Sequence, residues 1–160
     1  MKMKNIIIGL LFITAFGACN KEYEPEMIDG NELAGDWFVK TYTGGAAVIG
    51  YQHIVTATTA AADGKELLIS DGGHIWDFKV KCPMDVKNKT FSSKDSLNNL
   101  IEGYDIKILV KEGKVIKDGG RSKTGVKTDS IYMVVEFSDD LGTDYEISGH
   151  MRTGFVEDEY

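Results

Sequence analysis

The run His74-Ile75-Trp76-Asp77-Phe78-Lys79-Val80-Lys81-Cys82 places apolar side chains at every second position, with charges between most of them. Successive side chains of a β-strand point to opposite faces. The pattern therefore predicts a strand with His74, Trp76, Phe78, Val80 and Cys82 turned to a core, and Asp77, Lys79 and Lys81 to water. The same period recurs on either side. Downstream, Tyr104, Ile106, Ile108 and Val110 share a face, as do Ile131, Met133, Val135 and Phe137, and then Tyr145, Ile147, Gly149 and Met151. Upstream, Trp37, Val39 and Thr41 face one way and Phe38, Lys40 and Tyr42 the other.

Less regular runs over 48–59, 65–69, 86–91 and 114–117 bring the strands to about eight. Gly44-Gly45, Asp63-Gly64, Asp71-Gly72-Gly73, Cys82-Pro83, Glu112-Gly113, Asp118-Gly119-Gly120 and Asp139-Asp140-Leu141-Gly142 read as the turns between them. One short helix is expected over 94–102, where Leu97, Leu100 and Ile101 share a face ahead of Gly103. Consecutive strands with one apolar face must bury that face without leaving a long edge. Closure into an antiparallel up-and-down barrel does both, and a two-sheet β-sandwich is the alternative.

Residues 1–18 place Lys2 and Lys4 before an apolar run, Ile6 to Ala18, that ends in small residues. This is the build of a secretory signal. The run is about a dozen residues, short of the ~20 that a helix needs to cross a membrane. Cys19 follows at once, so the segment resembles a bacterial lipoprotein signal, although Phe16 stands where an aliphatic residue is usual. The resemblance implies cleavage before Cys19 and acylation of its thiol, which would attach the protein to a membrane; an ordinary thiol is the alternative. Residues 19–32 are polar and acidic and are expected to form a flexible tether. Their acidic run resembles the surface-export signal of Bacteroidetes lipoproteins. A single domain over 33–160 is expected to follow, on an outer-membrane lipoprotein at the cell surface or facing the periplasm.

The 160-residue chain carries a formal charge of −7. Such a surface gains nothing from a phosphate backbone and shows no Lys/Arg stripe, so nucleic acid is not an expected partner. His53, His74 and His150 are not at ligand spacing and Cys82 has no neighbouring cysteine, so no metal or other cofactor is expected. There is no G-x-S-x-G motif. His150 falls on the charged face of the last strand and reads as solvated, and His74 reads as a rim residue. The inward faces hold almost no ionisable group for acid–base chemistry, which favours binding over catalysis. Cys82 reads as a small buried hydrophobe.

Gly35-Asp36-Trp37, at the start of the first strand, matches the G-x-W signature of lipocalins, whose tryptophan closes the base of the barrel. Arg152 near the end of the last strand matches the arginine that lipocalins lay across that tryptophan. With the lipoprotein signal and the terminal SGHMRTGFVEDEY, the chain resembles the Bacteroidetes lipocalin-like lipoproteins labelled lipid-binding putative hydrolase. The resemblance implies a calycin-type barrel with an apolar pocket for a lipid-like small molecule. The candidates to line it are Trp37, Val39, Trp76, Phe78, Val80, Tyr104, Ile106, Ile108, Met133, Val135, Phe137, Tyr145, Ile147 and Met151. In a small barrel the same side chains can equally fill the interior. Two other roles stay open. Phe38, Tyr42, Ile75 and Leu109 on otherwise charged faces suggest docking on an outer-membrane protein partner, and an ester hydrolase is the third reading.

Overall fold

The computed structural model describes residues 29–160, so residues 1–18, expected to be a signal, and Cys19 lie outside the described residues. Nine strands follow in order: β1 (Gly35–Thr43), β2 (Ala46–Thr58), β3 (Glu66–Ser70), β4 (Lys79–Asp85), β5 (Thr90–Phe91), β6 (Leu97–Asn98), β7 (Lys107–Arg121), β8 (Lys127–Phe137) and β9 (Tyr145–Met151). Every strand pairing is antiparallel. The sheet runs β5-β4-β3-β2-β1-β9-β8-β7, and pairing of β5 with β7 closes it into an eight-stranded up-and-down barrel; β6 is a short addition alongside β7. Closure pairs the first strand with the last, Trp37 opposite Met151 and Tyr42 opposite Glu146.

The barrel has two distinct ends. The base holds the 3-10 turn Asn31–Leu33, the β2–β3, β4–β5 and β7–β8 connections and the tail after Met151; the top holds the β1–β2, β3–β4 and β8–β9 connections and the stretch from β5 to β7. Residues 29–32, expected within a flexible tether, sit against the base. Asp29 bridges to Asp63, Glu32 pairs with Lys89 at 2.7 Å, and Leu33 is fully buried.

Three local expectations are corrected. The strand expected from His74 begins only at Lys79, because Asp77 turns with φ at 53° and the preceding residues wind around Asp71. No helix forms over 94–102. There the backbone bonds sideways instead, Asn99 N to Ile106 O and Leu100 N to Lys79 O, while the Asn99 amide oxygen accepts from Lys79 N and Ile101 N. Cys82-Pro83 is not a turn, since β4 runs through it with Pro83 opposite Glu66, and neither are Glu112-Gly113 and Asp118-Gly119-Gly120. β7 runs through these last two, with irregularities in its pairing to β8 between Val110 and Glu112 and between Ile116 and Gly120. Gly113 is there for space: a Cβ would lie 2.1 Å from the Phe91 ring.

Candidate ligand-binding barrel

The strand phases carry most of the candidate lining residues inward. Trp37, Val39, Phe78, Val80, Ile108, Met133, Val135, Phe137 and Ile147 are fully buried, and Ile106 and Tyr145 nearly so. Trp76, Tyr104 and Met151 are half-buried and pack against them. Leu67, Ile69, Cys82, Phe91 and Val110 complete this core, to which the irregular runs around β3, β5 and β7 contribute. These side chains fill the interior and leave no water-sized surface on most of its members. Burial pushes the Cys82 thiol up to about 12, so it stays a protonated, inert part of the core.

At the base, Trp37 donates its indole N–H to Thr56 Oγ1 at 2.8 Å, and the Thr56 hydroxyl donates to Leu33 O at 2.6 Å. The base is thus sealed by a chain of satisfied polar groups under an apolar plug. Arg152 does not cross Trp37. It lies on the outer wall with its guanidinium 5.9 Å from the centre of the Phe38 ring, bonded through Nε to Glu159 at 2.7 Å and facing Asp36 at 3.7 Å. The cause is strand phase, since Arg152 follows the inward Met151.

At the top, the loop 71–78 closes the barrel. Asp71 is buried, and its two carboxylate oxygens accept the backbone N–H groups of Gly73, Ile75, Trp76, Asp77 and Phe78 at 2.7 to 3.0 Å. The loop so held lays Trp76 flat on Phe137, ring centres 4.6 Å apart and planes within 5°. Asp139, in the β8–β9 connection, accepts from Trp76 Nε1 at 3.1 Å and from the Tyr104 hydroxyl at 2.9 Å. Tyr145 donates to Asp140 at 2.6 Å, a bond that lifts its phenol to about 12. Three loops therefore meet over the core through aromatic rings and an acidic rim, with no strand ladder between them.

Among the described residues, one buried side-chain polar atom has no hydrogen-bond partner. Thr41 is 1% exposed and shares the inward phase of Trp37 and Val39, and its Oγ1 has no hydrogen-bond partner. On the adjacent strand Gln52, opposite Val39, is half-buried on the same face.

The outer wall departs from expectation. Phe38, expected to be exposed, is only 6% exposed, because the tail after Met151 folds back across it. Tyr160 packs edge-on against Phe38 with centres 5.1 Å apart and stacks on Tyr51 at 3.8 Å. His150 does lie on the outer face, but beneath this strap it is buried, not solvated; its Nε2 meets the Tyr160 hydroxyl and its Nδ1 the Met151 carbonyl, each at 3.1 Å. Asp158 fastens the strap by accepting Thr124 N at 2.8 Å and the Thr153 hydroxyl at 2.7 Å. Burial alone would raise this carboxyl, but the hydrogen bonds from Thr153, Thr124 and Ser122 outweigh it and hold it well below the usual carboxylate range. None of this was legible from strand periodicity, because the tail has no period.

The other polar pairs bear on chemistry. His53 Nε2 meets Asp36 Oδ1 at 2.9 Å on the outer wall. Among the described residues no hydrogen bond joins a histidine to a serine, threonine or cysteine, and no group of three or more His, Cys, Asp or Glu has the geometry to hold a metal ion. Along the barrel's side at β5 lie shallow hollows, one of them about 390 Å³, lined by Pro83, Ser92, Ser93, Lys94, Asp95, Ser96 and Leu97.

A family model described as lipid-binding putative hydrolase matches residues 22–156. The chain belongs to this lipid-binding family. No curated protein matches it. Among solved structures, a crystal structure of unknown function from Bacteroides ovatus is similar at 14% identity and a TM-score of 0.44. The match covers 76% of this chain and 43% of that one, so the chain spans less than half of its neighbour's length. The lipid-binding description suits a barrel whose inward residues, from Trp37 to Ile147, are apolar and aromatic.

Proposed function

We propose that this member of the lipid-binding family is a membrane-anchored carrier. It holds a lipid-like, apolar or amphipathic small molecule in its barrel without transforming it. The observation that carries the reading is the core itself: a continuous apolar interior, from Trp37 at the base to Phe137 and Trp76 at the top, with no lysine or arginine buried among the described residues. Each hydrocarbon CH₂ moved from water into such a core gains about 0.8 kcal/mol, so a chain of about ten carbons gains enough to displace one or two packed side chains. The top is where displacement is easiest, because ring stacking and side-chain bonds close it where β-ladders close the wall.

The test compares native and denatured masses of the full chain purified from its own membrane, with extraction of any bound molecule. A mass excess with a lipid-like extract is expected. No excess, together with no rise in Tm on adding long-chain alcohols, fatty acids or sterols, would overturn the reading. Turnover is checked with simple acyl esters; hydrolysis that disappears in His53→Ala or His150→Ala would replace a carrier by an esterase.

Attachment through acylated Cys19 rests on Lys2, Lys4, the apolar run to Ala18 and the position of Cys19 itself. A bacterial outer membrane is the expected location. Metabolic labelling with an alkyne fatty acid should mark the protein, and Cys19→Ser should lose both the label and membrane sedimentation. Two or more acyl chains at ~0.8 kcal/mol per CH₂ make that difference all-or-none.

A further inference from the structure

We infer that the ligand is a neutral amphiphile, whose uncharged hydroxyl or ester oxygen bonds Thr41 inside the upper barrel, and not a fatty-acid anion or a phospholipid. This rests on the lipid-binding reading above and names the class of molecule that reading leaves open.

The starting point is the hydroxyl of Thr41. Buried polar groups in folded proteins are satisfied, and each exception asks for a cause. Elsewhere in this interior the rule is kept: Thr56 both donates and accepts, and the Trp37 indole is bonded. Thr41 Oγ1 alone is shut from water without a partner among the described residues. Its neighbours across the sheet are Ile49 on β2 and Ile147 on β9, so valine would pack there equally well and avoid the penalty. A threonine at this point is explained by an oxygen that arrives from outside the chain.

Access lies beside it. β3 ends at Ser70, opposite Val55, so among the described residues 46–54 of β2 have no strand on that side. Loop 71–78 leaves β3 directly after Ser70, at this end of the barrel, and Gln52 adds an amide on the inward face one pair below Thr41. A ligand whose tail takes the place of loop side chains in the core would bring its head to these two residues.

The charge around the mouth decides the head. An ionised group taken out of water needs a counter-charge and hydrogen bonds, and among the described residues the buried core holds no lysine or arginine. The rim is acidic, with Asp139 beside Trp76 and Tyr104 and Asp140 beside Tyr145. The lysines that begin β4 and β7 at this end, Lys79 and Lys107, alternate with the inward Val80 and Ile108 and so face outward, as does Lys111, which is taken up by Glu136 and Asp144. A carboxylate or phosphate would meet carboxylates. A fatty alcohol, monoacylglycerol or sterol would meet none of this opposition and would supply the missing partner of Thr41.

The experiment titrates the full chain with oleyl alcohol and with oleate at pH 8, following tryptophan fluorescence, and repeats both with Thr41→Val and Thr41→Ser. The alcohol should bind at least about tenfold more tightly than the anion, and Thr41→Val should weaken the alcohol about tenfold, the effect of one buried hydrogen bond. Thr41→Ser should restore it. Unliganded Thr41→Val should melt no lower than the parent, which a threonine serving only the fold would not show. Equal affinity for oleate, or unchanged alcohol affinity in Thr41→Val, would overturn the inference while leaving the carrier standing. Binding of neither probe would overturn both.

Discussion

The indole N–H of Trp37 has one acceptor, the Thr56 hydroxyl, 2.8 Å away in a sealed base. Thr56→Val keeps the shape and removes the acceptor, which leaves a buried donor unpaired. The expected cost is about 1–3 kcal/mol, read as a lower urea midpoint at unchanged slope. Trp37 and its phase were legible from Gly35-Asp36-Trp37 and the alternation after it. Thr56 was not, since the run 48–59 mixes apolar and polar residues on both faces and fixes no phase. Arg152 shows the opposite case: its outward phase was plain in the sequence, and only the lipocalin likeness pointed it at Trp37. Asp71 lies between these cases. Asp71-Gly72-Gly73 announced a turn, but nothing in it announced one carboxylate accepting five N–H groups. Asp71→Asn keeps one acceptor oxygen and sets an NH₂ against the remaining donors. A loss of about 2 kcal/mol or more is expected, with a red shift of tryptophan emission as Trp76 leaves Phe137.

Among the elements, β5 and β7 show where periodicity misleads. β7 was expected to break at Glu112-Gly113, since glycine usually marks a turn. In the structure that glycine makes room for Phe91, which plugs the wall where β5 contributes only two residues. Gly113→Ala should cost about 1–3 kcal/mol by forcing the ring aside. In a Phe91→Ala background the same change should cost at least about 0.5 kcal/mol less, and a double-mutant cycle by chemical denaturation measures that coupling. The expected helix over 94–102 failed for a related reason. Its apolar spacing is real, but Asn99 sits in the middle, and its amide ties Lys79, Ile101, Asp77 and Tyr104 together. A side chain that competes for backbone groups overrides a short helical pattern.

At the scale of the molecule, the strap across β1, β2 and β9 makes stability depend on acid. The Asp158 carboxyl is held below its ordinary value, so its contribution is complete above the unfolded value of about 3.9 and is lost as pH falls through the folded one. Tm should therefore drop steeply below about pH 4 in the parent. In Asp158→Asn it should begin lower and fall less, which thermal melts between pH 6 and pH 2 would show. The barrel as a whole was legible because eight strands in meander order leave one apolar face each. What remained hidden lies in segments without a period, the loop 71–78 and the tail, which are positioned by individual carboxylates. The pairing of β1 with β9, Trp37 against Met151, also governs time. The earliest strand stays an unpaired edge until the latest is available, so closure depends on contacts at long sequence separation. Such a topology folds over milliseconds to seconds, not microseconds, and a chain handed over strand by strand would need its first hairpin shielded from aggregation until β9 arrives.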